Sequence, residues 1–136
     1  MPQKPFTLSV KVVIRDQDGR CLLIRRASSS RGNPGKWEFP GGKVTLGADF
    51  GQVVQREVSE ETTLTICLQR ALGTAQIELP ACKVVYLILE ADWQAGTVQL
   101  SSAHEDYVWR YPHELIEMDL VRHFIPFVSR YAQGAV

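Results

Sequence analysis

The sequence predicts an α+β domain, α/β in its layering, with a mixed sheet covered by helices. Segments rich in β-branched residues flank one well-signalled central helix, and a second helical spacing closes the chain. The 136 residues, 45% apolar and 22% charged, suffice for one compact layer stack and are too few for two ordinary domains. No internal repeat, low-complexity tract or linker divides residues 1–136.

Taken in order, Phe6 to Ile14 is rich in β-branched residues, and the Asp18-Gly19 turn signal separates it from Cys21 to Arg25, so the two read as a hairpin. A polar stretch from Ser28 to Gly35 makes a loop. Lys36 to Phe39 is a short extended piece, stopped by Pro40-Gly41-Gly42. The helix runs from Asp49 to Glu61: Asp49 serves as N-cap, Gln52 closes a capping box, and Phe50, Val53, Val54 and Val58 mark its buried face. Leu64 to Leu72, Lys83 to Glu90 and Tyr107 to Tyr111 return to strand. From Asp119 to Tyr131 the spacing of Leu120, Phe124, Val128 and Tyr131 is helical, but Pro126 requires a kink or a late start.

Fifteen Lys and Arg balance fifteen Asp and Glu, so no global field draws a nucleic acid or an anionic membrane to this chain. No apolar run approaches the roughly 18 to 20 residues of a membrane span, and residues 1–10 lack the pattern of a signal peptide, which points to the cytoplasm. Cys21, Cys67 and Cys82 are widely spaced within apolar segments and read as reduced core thiols.

On a helical wheel Glu57, Glu60 and Glu61 fall within an arc of roughly 100°, shared with Phe50 and Val53 and edged by Val54 and Val58. Read plainly, they form a solvated acidic face, with Arg56 and Glu60 as an i,i+4 pair of about 0.3 to 0.5 kcal/mol. Helix statistics alone favour that reading, but the arc is also the stripe that should face protein, and the glycine loop in front of the helix shifts the balance. Three carboxylates turned toward protein must be protonated, paired or bridged by a cation. With oxygen donors only, the fitting cation is Mg²⁺, with Mn²⁺ as substitute, and Mg²⁺ completes its shell with water and phosphate oxygens. Pro40-Gly41-Gly42 and the loop to Gly47 lead directly into this helix, and glycines there let backbone groups approach an ion or a phosphate.

Gly42, Arg56-Glu57-Val58-Ser59-Glu60-Glu61 and Leu64 resemble the Nudix box: G, five residues, E, seven residues, R-E, an apolar residue, any residue, E-E, any residue, G, an apolar residue. Trp37-Glu38-Phe39-Pro40-Gly41-Gly42 and His104-Glu105-Asp106-Tyr107-Val108-Trp109 are also similar to segments of that family. The box covers 23 residues, Gly42 to Leu64, and departs twice. Ala48 replaces the first Glu, which leaves Arg56 to turn to Glu60 or Asp49. Thr63 replaces the Gly after the acidic pair, so a rearranged or extended helix exit is expected.

The resemblance implies a Nudix-type α/β/α sandwich and Mg²⁺-dependent hydrolysis of the diphosphate linkage in a nucleoside triphosphate or another nucleoside diphosphate derivative. The small size favours the nucleotide-sanitising, MutT-like branch. Carried over by position, Glu57, Glu60 and Glu61 hold metal, the Gly41 carbonyl adds a ligand, and Arg56 orients the glutamates. The general base is a box glutamate or a later carboxylate, for which Glu105 is the candidate; an exposed loop acid is the equal alternative for Glu105. The partner is a small nucleotide, and the oligomeric state is open, a homodimer included. Competing functions are a catalytically weakened nucleotide-binding module, suggested by Ala48 and Thr63, a nucleotide-sugar diphosphatase, and a structural protein that binds no cation.

The remaining polar and aromatic residues read as structural. Arg25 and Arg26, at a strand end, suit edge charges or ion-pair partners better than phosphate ligands. Trp37 and Phe39 suit the core better than base stacking, Tyr107 and Trp109 read as packing, and His104 reads as an exposed loop residue.

Overall fold

In the computed structural model, which describes residues 4–45 and 47–135, the first apolar run becomes the centre of a seven-stranded sheet. Its strands are β1 (Phe6–Arg15), β2 (Cys21–Arg26), β3 (Trp37–Glu38), β4 (Gly41–Lys43), β5 (Thr65–Glu78), β6 (Lys83–Ala95) and β7 (His104–Arg110). The helices are α1 (Phe50–Thr62) and α2 (Ile125–Ala132), the latter preceded by 3-10 turns at Pro112–Glu117 and Arg122–Phe124. The order is β3-β2-β1-β6-β5, with β4 paired to β1 and β7 to β2. β1 and β6 run parallel from Phe6↔Lys83 to Arg15↔Asp92, and the other pairings are antiparallel, so the sheet is mixed.

Side-chain alternation on β1 divides the core. Val10, Val12 and Ile14 pack with Leu22, Ile24 and α1's Val54 and Val58 on one face. Val13 packs with Cys21, Leu23, Phe39 and Ile88 on the other, against Leu115, Phe124, Phe127 and Val128. Both faces are covered, so successive residues such as Leu22 and Leu23 are equally inaccessible, and the result is an α/β/α sandwich. Among the described residues, no helix is long and apolar enough to cross a membrane.

Several expectations change in detail. Asp49 caps α1, accepting from the Gln52 amide at 3.1 Å, but Phe50 is 38% exposed because only Val53, Val54, Val58 and Thr62 reach the sheet. β5 and β6 extend to Glu78 and Ala95 because they pair with each other, and β7 begins at His104 because it pairs with β2. α2 starts late, with Pro126 in its first turn, where a missing N–H leaves no hydrogen bond unmade. The three thiols are free, yet only Cys21 is a core residue; burial pushes its pKa up to about 11, while Cys67 is exposed and Cys82 half-buried. Phe39 is fully buried and Trp37 packs against the core, as expected. Trp109 packs too, but Tyr107 is 41% exposed.

The helix exit corrects another expectation. Thr63 itself takes the left-handed conformation, at φ 64° and ψ 10°, that a glycine would occupy, so the exit is neither extended nor rearranged. Its amide donates to the Ser59 carbonyl and its hydroxyl to the Thr97 carbonyl at 2.5 Å. The Gln99 and Ser101 amides cap the carbonyls of Thr62 and Glu61.

Candidate active site

The site is built where β4 lies between β1 and α1. Ser9, Val10 and Lys11 pair with Lys43, Gly42 and Gly41, which fixes the glycine pair on the sheet. α1 crosses over β4, with Val54 and Val58 directed at the sheet and Glu57 and Glu61 at the glycines. Glu61 Oε1 accepts from the Gly41 amide at 2.8 Å. Glu57 sits against Gly42 so closely that a Cβ there would lie 2.6 Å from its Cδ. Their side chains are each 19% exposed.

Glu60 behaves differently. The buried stripe is centred on Val54 and Val58, which turns Glu60 outward to 61% exposure. Arg56 lies 3.7 Å from Glu57 and 3.9 Å from Glu60, and so takes the Glu60 alternative rather than Asp49; Ala48 is exposed. The structure thus brings Glu57 and Glu61 to the loop and leaves Glu60 beside Arg56 in solvent.

Behind Glu61 stands a buried polar chain that sequence reasoning missed. His104, expected to be exposed, is buried: its Nε2 lies 2.9 Å from Glu38 Oε2 and its Nδ1 3.9 Å from Glu61 Oε2. Glu38 also accepts from Lys11 at 3.2 Å and from Arg26 at 2.9 Å. Burial alone would push its carboxyl up, but Lys11, His104 and Arg26 together hold it down at about 2. Glu38 is therefore ionised and His104 Nε2 is the donor. Nδ1 then faces Glu61 with no hydrogen-bond partner. Burial raises the Glu61 carboxyl, with Lys11, the Gly41 amide and His104 opposing and Glu38 reinforcing. The available signal was a charged residue inside each of two apolar segments, Lys11 in Val10–Ile14 and Glu38 between Trp37 and Phe39.

Glu105 faces elsewhere. Its carboxylate lies 3.3 Å from Arg25 Nε and accepts from the Ser28 amide at 3.3 Å, and no ion pair among the described residues ties it to α1. Arg25 stacks its guanidinium over Trp37 at 5.5 Å, so both strand-end arginines are ion-pair partners, as expected.

The donors at the loop are all oxygens, and Gly42 leaves room for the Glu57 carboxylate, so these residues suit a hard cation. Among the described residues, no three His, Cys, Asp or Glu side chains group closely enough to hold a metal by themselves. An ion here needs further oxygens from backbone, water or substrate.

With this geometry in view, the chain matches the NUDIX domain family model over residues 5–130. It is 28% identical over 128 residues to the CTP pyrophosphohydrolase of Escherichia coli (strain K12), covering 91% of this chain and 90% of that protein. It is 32% identical over 111 residues to a MutT-like protein of Streptomyces ambofaciens, covering 82% and 68%. Among solved structures, the MutT protein from Methanosarcina mazei Go1 superposes with a TM-score of 0.86 at 34% identity, covering 98% of each chain. The E. coli ORF135 protein gives 0.83 at 26% identity, covering 98% of this chain and 94% of that one.

Proposed function

Since the chain belongs to the Nudix family of hydrolases acting on nucleoside diphosphate derivatives, we propose that it is a Mg²⁺-dependent pyrophosphohydrolase of nucleoside triphosphates, of the pool-sanitising kind. The observation that carries this reading is the seating of Glu61 on the Gly41 amide and of Glu57 against Gly42. Glu57 and Glu61 would hold Mg²⁺ or Mn²⁺, with the Gly41 carbonyl and Glu60, once turned in from Arg56, as further ligands. When bound, such an ion supplies Lewis acidity toward phosphate oxygens and water.

The chain's own residues supply position and proton transfer. The Gly41 amide holds the Glu61 carboxylate in one orientation, and Arg56, beside Glu57 and Glu60, limits their mutual repulsion. A carboxylate takes the proton of the attacking water, either a box glutamate or Glu105 once released from Arg25. CTP is the first substrate to try, a choice supported by the similarity to a CTP pyrophosphohydrolase. A weakened, binding-only role draws no support from Thr63, which adopts the glycine-like geometry, or from Ala48, which is exposed.

The test is phosphate release from a panel of ribo- and deoxynucleoside triphosphates, coupled to inorganic pyrophosphatase, and of nucleotide sugars, coupled to a phosphomonoesterase that frees phosphate from the nucleoside monophosphate and sugar phosphate they yield. Turnover of at least one triphosphate with Mg²⁺, abolished by chelation, is expected. No turnover of any compound with Mg²⁺ or Mn²⁺ present would overturn the proposal, and turnover of nucleotide sugars alone would reassign the substrate.

A further inference from the structure

Lys11 puts a charge where β1 calls for an apolar side chain. It is 7% exposed and lies directly opposite Gly41 in the ladder, with its ammonium 3.2 Å from Glu38 Oε1 and 5.8 Å from the centre of the Phe124 ring. Such a pair is a poor source of stability, because well-packed apolar residues commonly do as well or better. Its presence calls for another account.

Following the pair inward supplies one. Glu38 touches Lys11, Arg26 and His104, and the unpartnered His104 Nδ1 faces Glu61. In this cluster the cations Lys11 and Arg26 stand among the carboxylates Glu38 and Glu61, so positive charge is in place before any ion arrives. We propose that Lys11 is a built-in counter-cation of Glu61 that holds down the affinity of the glutamate site for free divalent ions. This role rests on the assignment of Glu57 and Glu61 as metal ligands made above. An entering ion meets a fixed positive charge across a poorly screened interior and is retained tightly only when substrate phosphates add negative charge. Lys11 stands opposite Gly41 on the β1–β4 ladder, and the Gly41 amide holds the Glu61 carboxylate at 2.8 Å.

The experiment is a titration of the substrate-free protein with Mn²⁺, followed by the electron paramagnetic resonance of unbound Mn²⁺, for wild type, K11M, K11Q, K11R and E61Q. Removing the charge in K11M is expected to tighten Mn²⁺ binding ~10-fold, with K11R unchanged. K11Q keeps a hydrogen-bond donor for Glu38 without the charge, and answers the question should K11M fail to fold. Equal affinities in wild type and the charge-removing variants, with binding still lost in E61Q, would overturn the role of Lys11 alone. Binding indifferent to E61Q would overturn the metal-site assignment and this inference with it.

Discussion

The carboxylate of Glu61 and the amide of Gly41, 20 residues apart in sequence, meet at 2.8 Å, and this bond joins the acidic helix to the glycine strand. Because burial raises the Glu61 carboxyl, ionising it at neutral pH opposes folding. E61Q keeps an oxygen for the Gly41 amide and removes the charge. It is expected to raise the metal-free melting temperature at pH 7 by about 3 °C and to lower turnover by orders of magnitude. Calorimetry and phosphate release check the two halves, and near-normal turnover would remove Glu61 from the machinery.

The two glycines should fail in different ways. A Cβ at Gly41 would lie within 2.9 Å of the β1 backbone at Val10 and Lys11, so G41A should cost several kcal/mol and disrupt the β1–β4 pairing. The atoms nearest a Cβ at Gly42 all belong to the Glu57 side chain, which can turn away where backbone cannot, so G42A should fold within ~1 kcal/mol of wild type while losing most activity. Denaturant melts paired with rates distinguish them; equal stabilities would contradict the assignment.

At Thr63 a β-branched residue holds φ 64°. T63A and T63G both lose the hydroxyl bond to Thr97, but only glycine relieves the left-handed backbone. T63G should therefore be the more stable of the two by about 1 kcal/mol. The reverse order in urea denaturation would mean that the exit is not strained.

Glu38 governs the acid limb of stability. Its carboxyl titrates near 2 in the folded protein against an ordinary 4.5, so its ionised form stabilises the fold above pH 4.5 and that contribution fades as pH falls toward 2. E38Q, which leaves Lys11 and Arg26 without their buried partner, should be ~3 kcal/mol less stable at pH 7. The deficit should narrow progressively below pH 4.5. A constant gap across denaturation curves from pH 7 to pH 2.5 would rule out this coupling.

Local signals carried much of this architecture. Asp49 as N-cap, the hairpin at Asp18-Gly19 and the late start of α2 at Pro126 each depend on neighbours along the chain, and all three were legible. The box glutamates were legible as a group, but a wheel drawn on one helix cannot say where the sheet will touch it, and so Glu60 was not separated from Glu57 and Glu61. His104 was misjudged for a related reason. Its burial is set by Glu38, 66 residues away, and no local pattern announces a partner at that distance. Lys11 and Glu38 stood out in their apolar segments, yet only the β1–β4 and β2–β3 registers bring both to the same cluster.

The parallel match of β1 with β6 bears on how the enzyme comes into being. β1 precedes its longest neighbour, β6, by β2, β3, β4, α1 and β5, and such distant pairing is slow. The glycine strand rests on the opposite edge of β1, so it has no firm footing until that late partner arrives. Competence for chemistry should accordingly appear in one cooperative event once β6 has docked, with no fragment lacking β6 able to hold a working site.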